Sequence, residues 1–155
     1  MEQLRDWKYV NKYSTNSDKQ AAYHLLGALR AYEGKLGYTD KLLMTFDEFR
    51  TFVDTTSHDI VIFFNSDSDN PQEAIGLIIY HAYLNTYEGI TETFIDELYI
   101  TESERNKGLG TKIIEWLKER DGVHIVLNVL DNNENTIAFY KKNGFKITGL
   151  IQMET

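Results

Sequence analysis

Arg105-Asn106-Lys107-Gly108-Leu109-Gly110-Thr111 stands between a strand-like run ending at Ile100 and an amphipathic helix running from about Gly108 to Arg120. Two glycines separated by one residue let the backbone approach a ligand closely, and the free N–H groups opening a helix, with its positive dipole end, attract oxyanions. The stretch therefore reads as a phosphate cradle, to which Arg105 and Lys107 add mobile positive charge. Two other phosphate motifs do not fit. A Walker A loop needs Gly-Lys-Ser/Thr, whereas here Thr111 precedes Lys112, and the dinucleotide fingerprint needs a third glycine where Ile113 stands.

The elements around the cradle follow from apolar periodicity. Upstream, Ser14 to Ser17 offer caps for a helix over Asp18 to Glu33, with Ala22, Leu25, Leu26, Leu29 and Tyr32 at helical spacing. Thr45-Phe46-Asp47-Glu48 reads as a capping box for a short second helix, whose Phe46, Phe49, Phe52 and Val53 form a core-facing side. Asp59 to Asn65 and Glu73 to Asn85 are β-rich runs joined by a polar turn over 66–71, and Thr91 to Ile100 is a third strand. Beyond the cradle helix, His124 to Leu130 reads as a buried strand, Asn133 to Asn143 as a helix ended by Gly144, and Phe145 to about Met153 as a last strand. An early strand and two helices followed by β-β-β-α-β-α-β predict an α+β domain on a mixed sheet. At 155 residues, without repeat or linker, one domain over 1–155 is expected.

Composition excludes several chemistries. There is no cysteine, which removes disulfides, thiolate catalysis, zinc–thiolate sites and iron–sulfur clusters. His24, His58, His81 and His124 are scattered without the close pairing of a helical metal site, so each reads as a surface or packing residue and no metal is expected. The N-terminus lacks an apolar signal region, and runs such as Ile60 to Phe64 are too short to span a bilayer. A soluble, cytoplasmic protein is expected. The net charge of −8 lies entirely in the first part of the chain: between Arg50 and Arg105 there are 11 acids and no Lys or Arg. Such a field repels nucleic acid and anionic membrane and draws in a cationic partner.

A second motif lies downstream, in Asn133-Glu134-Asn135-Thr136-Ile137-Ala138-Phe139-Tyr140-Lys141-Lys142-Asn143-Gly144-Phe145. On a helix, Asn133, Thr136 and Tyr140 line one polar stripe that needs a hydrogen-bonding partner. Together with Arg105-x-x-Gly108-x-Gly110 it resembles the GNAT superfamily of N-acetyltransferases, over residues of about 59 to 153. The resemblance implies a GNAT-like mixed, mostly antiparallel central sheet flanked by helices, forming a single acyl-CoA N-acyltransferase domain. It implies acetyl-CoA as cofactor, with CoA as product. Its pyrophosphate would lie on Arg105, Asn106, Lys107, Gly108, Leu109, Gly110 and Thr111. Its pantetheine would pair with Leu98, Tyr99 and Ile100, and Asn133, Thr136 and Tyr140 would face it from the helix.

Direct transfer from a thioester to an amine needs a base, because a protonated amine, with a reference pKa of about 10, has no lone pair. Glu97 is the first choice and Asp96 the reserve, since strand alternation puts them on opposite faces and a bulge could exchange them. Tyr140 would be the acid that protonates the leaving thiolate. Only ten residues follow Phe145, so the last hairpin is expected to be shortened or completed by a partner chain, as in a homodimer. That ending and the acid before Leu98 resemble some aminoglycoside 3-N-acetyltransferases. The leading expectation is acetylation of a small cationic amine of aminoglycoside or polyamine type. The alternatives are a peptide N-terminus or lysine as acceptor, and a catalytically idle acyl-CoA-binding module.

Overall fold

The computed structural model describes residues 6–38, 40–65, 73–121 and 124–155. Five strands form one sheet in the order β1-β2-β3-β4-β5: β1 (Trp7–Tyr9), β2 (Asp59–Phe64), β3 (Ala74–Asn85), β4 (Ile90–Ile100) and β5 (Ile125–Leu127). The first four pair antiparallel and β5 joins β4 in parallel, so the sheet is mixed and mostly antiparallel. A parallel neighbour requires a crossover, which α3 (Leu109–Asp121) supplies. The polar turn expected over 66–71 lies outside the described residues.

Each helix forms where its caps and apolar stripe coincide. Thr15 caps α1 (Asn16–Gly34) by accepting from the Asp18 N–H at 3.1 Å, and Ala22, Leu25, Leu26 and Leu29 are buried. Thr45 and Glu48 complete the expected capping box of α2 (Phe46–Thr55). Both helices cover the sheet face that carries Ile60, Ile62, Leu77 and Ile79. On the opposite face Val61, Phe63, Ile78, Tyr80 and Ile95 meet Ile113, Ile114, Trp116 and Leu117 of α3 and Tyr140 of α4 (Glu134–Lys142). With both faces covered, β2 is continuously apolar from Ile60 to Phe63. Among the described residues no helix is long and apolar enough to cross a membrane.

Two expectations are corrected at the C-terminal end. The strand predicted over His124 to Leu130 pairs only at Ile125–Leu127, because past Leu127 it has left β4 and has no ladder to join. The last strand predicted over Phe145 to Met153 does not form. Gly149 sits in the left-handed region at φ 81°, which interrupts an extended run, and Ile147, Leu150, Ile151 and Met153 are 71–89 % exposed.

Candidate active site

Where β4 and β5 separate, the sheet opens. Their pairing runs Thr93 to Ile125, Phe94 to Val126 and Ile95 to Leu127, and then stops, although β4 continues against β3 to Ile100. Leu98 and Ile100 thus turn backbone groups away from β3 that β5 does not pair, whereas the Tyr99 carbonyl is turned to β3, 3.5 Å from where a Cβ on Gly76 would stand. The cleft is a cavity of about 940 Å³, walled by Ile95–Ile100 on one side and Leu127–Leu130 on the other.

The cradle closes one end of this cavity. Arg105, Asn106, Gly108, Leu109, Gly110 and Thr111 all line it, and the first N–H groups of α3 have no intrahelical acceptor. The turn into the helix depends on left-handed backbone at Asn106 (φ 61°) and Gly108 (φ 86°). Gly110 has a different reason to be small. A Cβ there would stand 2.8 Å from Phe139 Cζ and 3.2 Å from Ile100 Cδ1, so this glycine admits α4 and β4 to the start of α3. The expectation of mobile charge is also corrected. Arg105 Nε donates to the Ile100 carbonyl at 3.0 Å, and its guanidinium lies over the rings of Tyr32 and Tyr99, which fixes it at the cavity wall. Lys107 does not line the cavity and instead approaches Glu104 at 3.6 Å.

The two carboxylates expected to act as base, Asp96 and Glu97, line the cavity from β4. The β3–β4 register shifts between Ile79 and Tyr80, opposite Glu97 and Ile95, so Asp96 is the extra residue of a β-bulge. Alternation is suspended there, and Asp96 and Glu97 both project toward the α1 and α2 face. Glu97 is gripped by Arg30 of α1 through both terminal guanidinium nitrogens, the Nη1 contact being 3.3 Å. Arg30 Nη1 also donates to Glu33 at 3.2 Å, so two carboxylates share one guanidinium. The hydrogen bond to Glu97 is the main cause that raises the Arg30 pKa, whereas burial pushes the Glu33 carboxyl above the ordinary carboxylate range despite Arg30 beside it.

From the other wall, α4 presents its polar stripe. Asn133, Thr136 and Tyr140 line the cavity together, as their spacing predicts. Asn133 caps α4 by accepting from the Thr136 N–H at 3.4 Å and also accepts from the Tyr32 hydroxyl at 3.1 Å, which ties α4 to α1 across the opening. The Tyr140 ring is buried between Phe139 and Phe145, and burial pushes its phenol pKa well up, so the hydroxyl keeps its proton at neutral pH.

Every site residue expected from the sequence except Lys107 meets at this cavity, with Asp96 and Glu97 side by side. Sequence reasoning missed Arg30, Tyr32 and Glu33. Tyr32 was readable only as part of the core-facing stripe of α1, and the pairing of Arg30 with Glu97 is a long-range contact that no local pattern encodes.

Comparison with known proteins bears on these walls. Residues 58–147 match the family model described as an acetyltransferase (GNAT) domain. The L-methionine sulfoximine/L-methionine sulfone acetyltransferase of Pseudomonas aeruginosa is 29% identical over 86 residues, covering 53% of this chain and 49% of that protein. A peptidyl-lysine N-acetyltransferase of Salmonella typhimurium is 33% identical over 66 residues, covering 42% and 44%. The match thus spans about half the length of these curated relatives. Among solved structures, a mutant protein of Bacillus halodurans superposes with a TM-score of 0.72 over 97% of this chain and 99% of that one, at 16% identity. An aminoglycoside acetyltransferase from an uncultured soil metagenomic sample, in complex with trehalose, does so at 0.69, over 96% and 94%, at 9% identity. At such identities the likeness is one of fold.

Proposed function

Because the chain belongs to the GNAT acetyltransferase family, we propose that it transfers an acetyl group from acetyl-CoA directly to an amine, acting as a single acyl-CoA N-acyltransferase domain over 1–155. The observation that carries this reading is the parting of β4 from β5 beyond Ile95 and Leu127, which brings an unpaired strand edge, a helix N-terminus and Tyr140 to one cavity. The residues present fit acetyl-CoA: left-handed Gly108 and the first N–H groups of α3 suit a pyrophosphate, and the outward backbone groups of Leu98 and Ile100 suit the amides of pantetheine, with Tyr99 contributing its side chain to the wall. Acetyl-CoA supplies an electrophilic thioester. The chain's own groups then handle the protons. A carboxylate on the bulge, Glu97 first and Asp96 second, takes the proton of the incoming ammonium directly or through water, which frees its lone pair. Arg30 holds Glu97 at the cavity. The phenol of Tyr140, kept protonated by burial, donates to the departing thiolate.

The acceptor we favour is a small cationic amine. Glu33, Asp96, Glu97, Glu102 and Glu104 line the cavity, against Arg105 and Lys142. Acids walling a low-dielectric cleft concentrate cations. A lysine side chain or peptide N-terminus is the second reading, favoured by the likeness to peptidyl-lysine acetyltransferases. The exposed apolar side chains from Ile147 to Met153 are compatible with a homodimer. The test is a panel of polyamines, aminoglycosides, amino acids and lysine peptides incubated with acetyl-CoA, with released thiol as the readout. Turnover confined to cationic small molecules supports the reading; turnover confined to peptides or to neutral amino acids rejects it, and no turnover with any amine favours an idle acyl-CoA-binding module.

A further inference from the structure

Through Asp96, the bulge also assembles a second constellation, with two histidines that do not line the acyl-transfer cavity. Asp96 Oδ2 lies 2.7 Å from His81 Nδ1 on β3 and 3.6 Å from His58 Nε2 in the loop between α2 and β2. The two imidazoles are 4.4 Å apart, centroid to centroid, and the three potential ligand atoms all lie within 4.8 Å of one another. Nothing in the GNAT reading uses either histidine.

We propose that His58, His81 and Asp96 form a binding site for a divalent transition-metal ion of the zinc type. Two imidazoles and one carboxylate are a donor set suited to zinc or a neighbouring first-row ion, and leave further coordination positions open. Bonds of about 2.1 Å in tetrahedral geometry place ligand atoms about 3.4 Å apart. The two carboxylate–imidazole separations of 2.7 and 3.6 Å bracket that value, and all three ligand atoms lie within 4.8 Å of one another, so rotation of the side chains brings them to coordinating distance. An ion would replace the proton between His81 and Asp96, and the His81 proton would move to Nε2 with no change in the neutral ring's charge.

Three features show a built site. His58 Nδ1 is 3.0 Å from the Thr56 hydroxyl, which orients the ring and leaves Nε2 turned to Asp96, as an outer partner does for a metal-ligating histidine. The rings of Phe52, Phe94 and Tyr83 stand against the imidazoles at 5.6–6.0 Å and restrict their rotamers. Among the described residues no lysine or arginine comes within 4.0 Å of Asp96, so no resident cation neutralises it, and all three side chains remain 28–31 % exposed, open to an ion from solvent. A second cluster, Glu88, Glu92 and His124, lacks this readiness, because the Glu92 carboxylate already accepts from Tyr83 and Asn85.

The test is calorimetric titration of the whole chain with Zn²⁺ at neutral pH, alongside Co²⁺ titration followed by visible absorption. It is run for wild type, His58→Ala, His81→Ala, Thr56→Val and His124→Ala, each checked for fold by circular dichroism. One ion per chain is expected. Its affinity should fall by more than about 100-fold in either ligand variant and by roughly 10-fold in Thr56→Val, the effect of removing an outer partner, with His124→Ala unchanged. The two ligands lie on different elements, so misfolding of one variant leaves the other as the test. Absence of saturable uptake by wild type, equal affinity in a folded His58→Ala or His81→Ala, or loss of binding in His124→Ala would each overturn the proposal. Because the readout is bound metal, failure here leaves acetyl transfer untouched, and failure of the amine panel leaves this site untouched.

Discussion

Asp96 and Glu97 are consecutive in β4 and yet face the same side of the sheet, one against His81 and the other against Arg30. Had the strand been regular, one of them would have pointed into the α3 layer beside Ile95, where an unpaired carboxylate is costly. The bulge avoids that cost and places two acids beside one cavity.

Their division of labour is testable. Glu97→Gln is expected to lower kcat/KM by about 10²- to 10⁴-fold, the usual share of a general base. Asp96→Asn is expected to cost less, because its carboxylate is turned to the imidazoles. Rate–pH profiles of both variants are the check: if Asp96→Asn shows the larger loss, the reserve base becomes the base.

Tyr140→Phe removes only a hydroxyl from a ring fixed between Phe139 and Phe145, so fold and acetyl-CoA affinity should persist. Turnover should drop by about 10²-fold. Steady-state rates within twofold of wild type would take Tyr140 out of the mechanism.

The two cradle glycines should respond differently. Gly108→Val forces a β-branched residue into φ 86° with open space around it, so acetyl-CoA binding should be lost and the rest of the fold kept. Gly110→Ala drives a methyl against Phe139, so it should lower stability by about 1–3 kcal/mol, and Phe139→Leu should restore part of it. Thermal unfolding and calorimetric binding separate the two outcomes.

What the sequence disclosed, and what it withheld, divides along chain distance. The Thr45–Glu48 capping box, the α1 stripe and the turn at Gly108 are local, and each is encoded within one or two helical turns. The polar stripe of Asn133, Thr136 and Tyr140 was legible for the same reason. The bulge at Asp96 was not, because β3 and β4 must be aligned before one residue too many can be seen. The grip of Arg30 on Glu97 and the meeting of His58 with His81 depend on which elements lie side by side. The early end of β5 and the unformed final strand have that origin too: both runs are apolar enough to be strands, and neither has a ladder to join.

Acid and alkali should act on the β3–β4 hairpin through Tyr83 and Glu92. The Tyr83 hydroxyl donates to the Glu92 carboxylate, holding it below the ordinary carboxylate range and pushing the phenol up to about 12. A carboxyl lowered on folding contributes stability above its unfolded pKa, near 4.3, and loses it as pH falls through the folded value. A phenol raised on folding contributes below its unfolded pKa, near 10, and loses it as pH rises through the folded value. Tyr83→Phe should therefore destabilise at neutral pH and flatten both limbs of a plot of Tm against pH. Parallel curves for variant and wild type would show that the pair does not set the pH dependence.

The choice of acceptor turns on the acids along the cavity. If Glu33, Glu97, Glu102 and Glu104 draw in a cation, kcat/KM for a polyamine or aminoglycoside should fall steeply once added salt shortens the Debye length below about 10 Å. The KM for acetyl-CoA should change much less if, as proposed, its phosphates are held by backbone N–H groups at short range and not by a distant field. Glu102→Gln, at the cavity rim, should reduce the salt slope while leaving kcat near wild type, whereas Glu97→Gln should reduce kcat at every salt concentration, since only a carboxylate at the reacting nitrogen can take its proton. Asp67 and Asp69 belong to the same acidic stretch but lie outside the described residues, and Asp67→Asn/Asp69→Asn is expected to alter the slope alone. A salt-independent kcat/KM, or a best acceptor that is neutral or acidic, would make the acidic stretch a solubilising surface and move the acceptor to the peptide or amino-acid class.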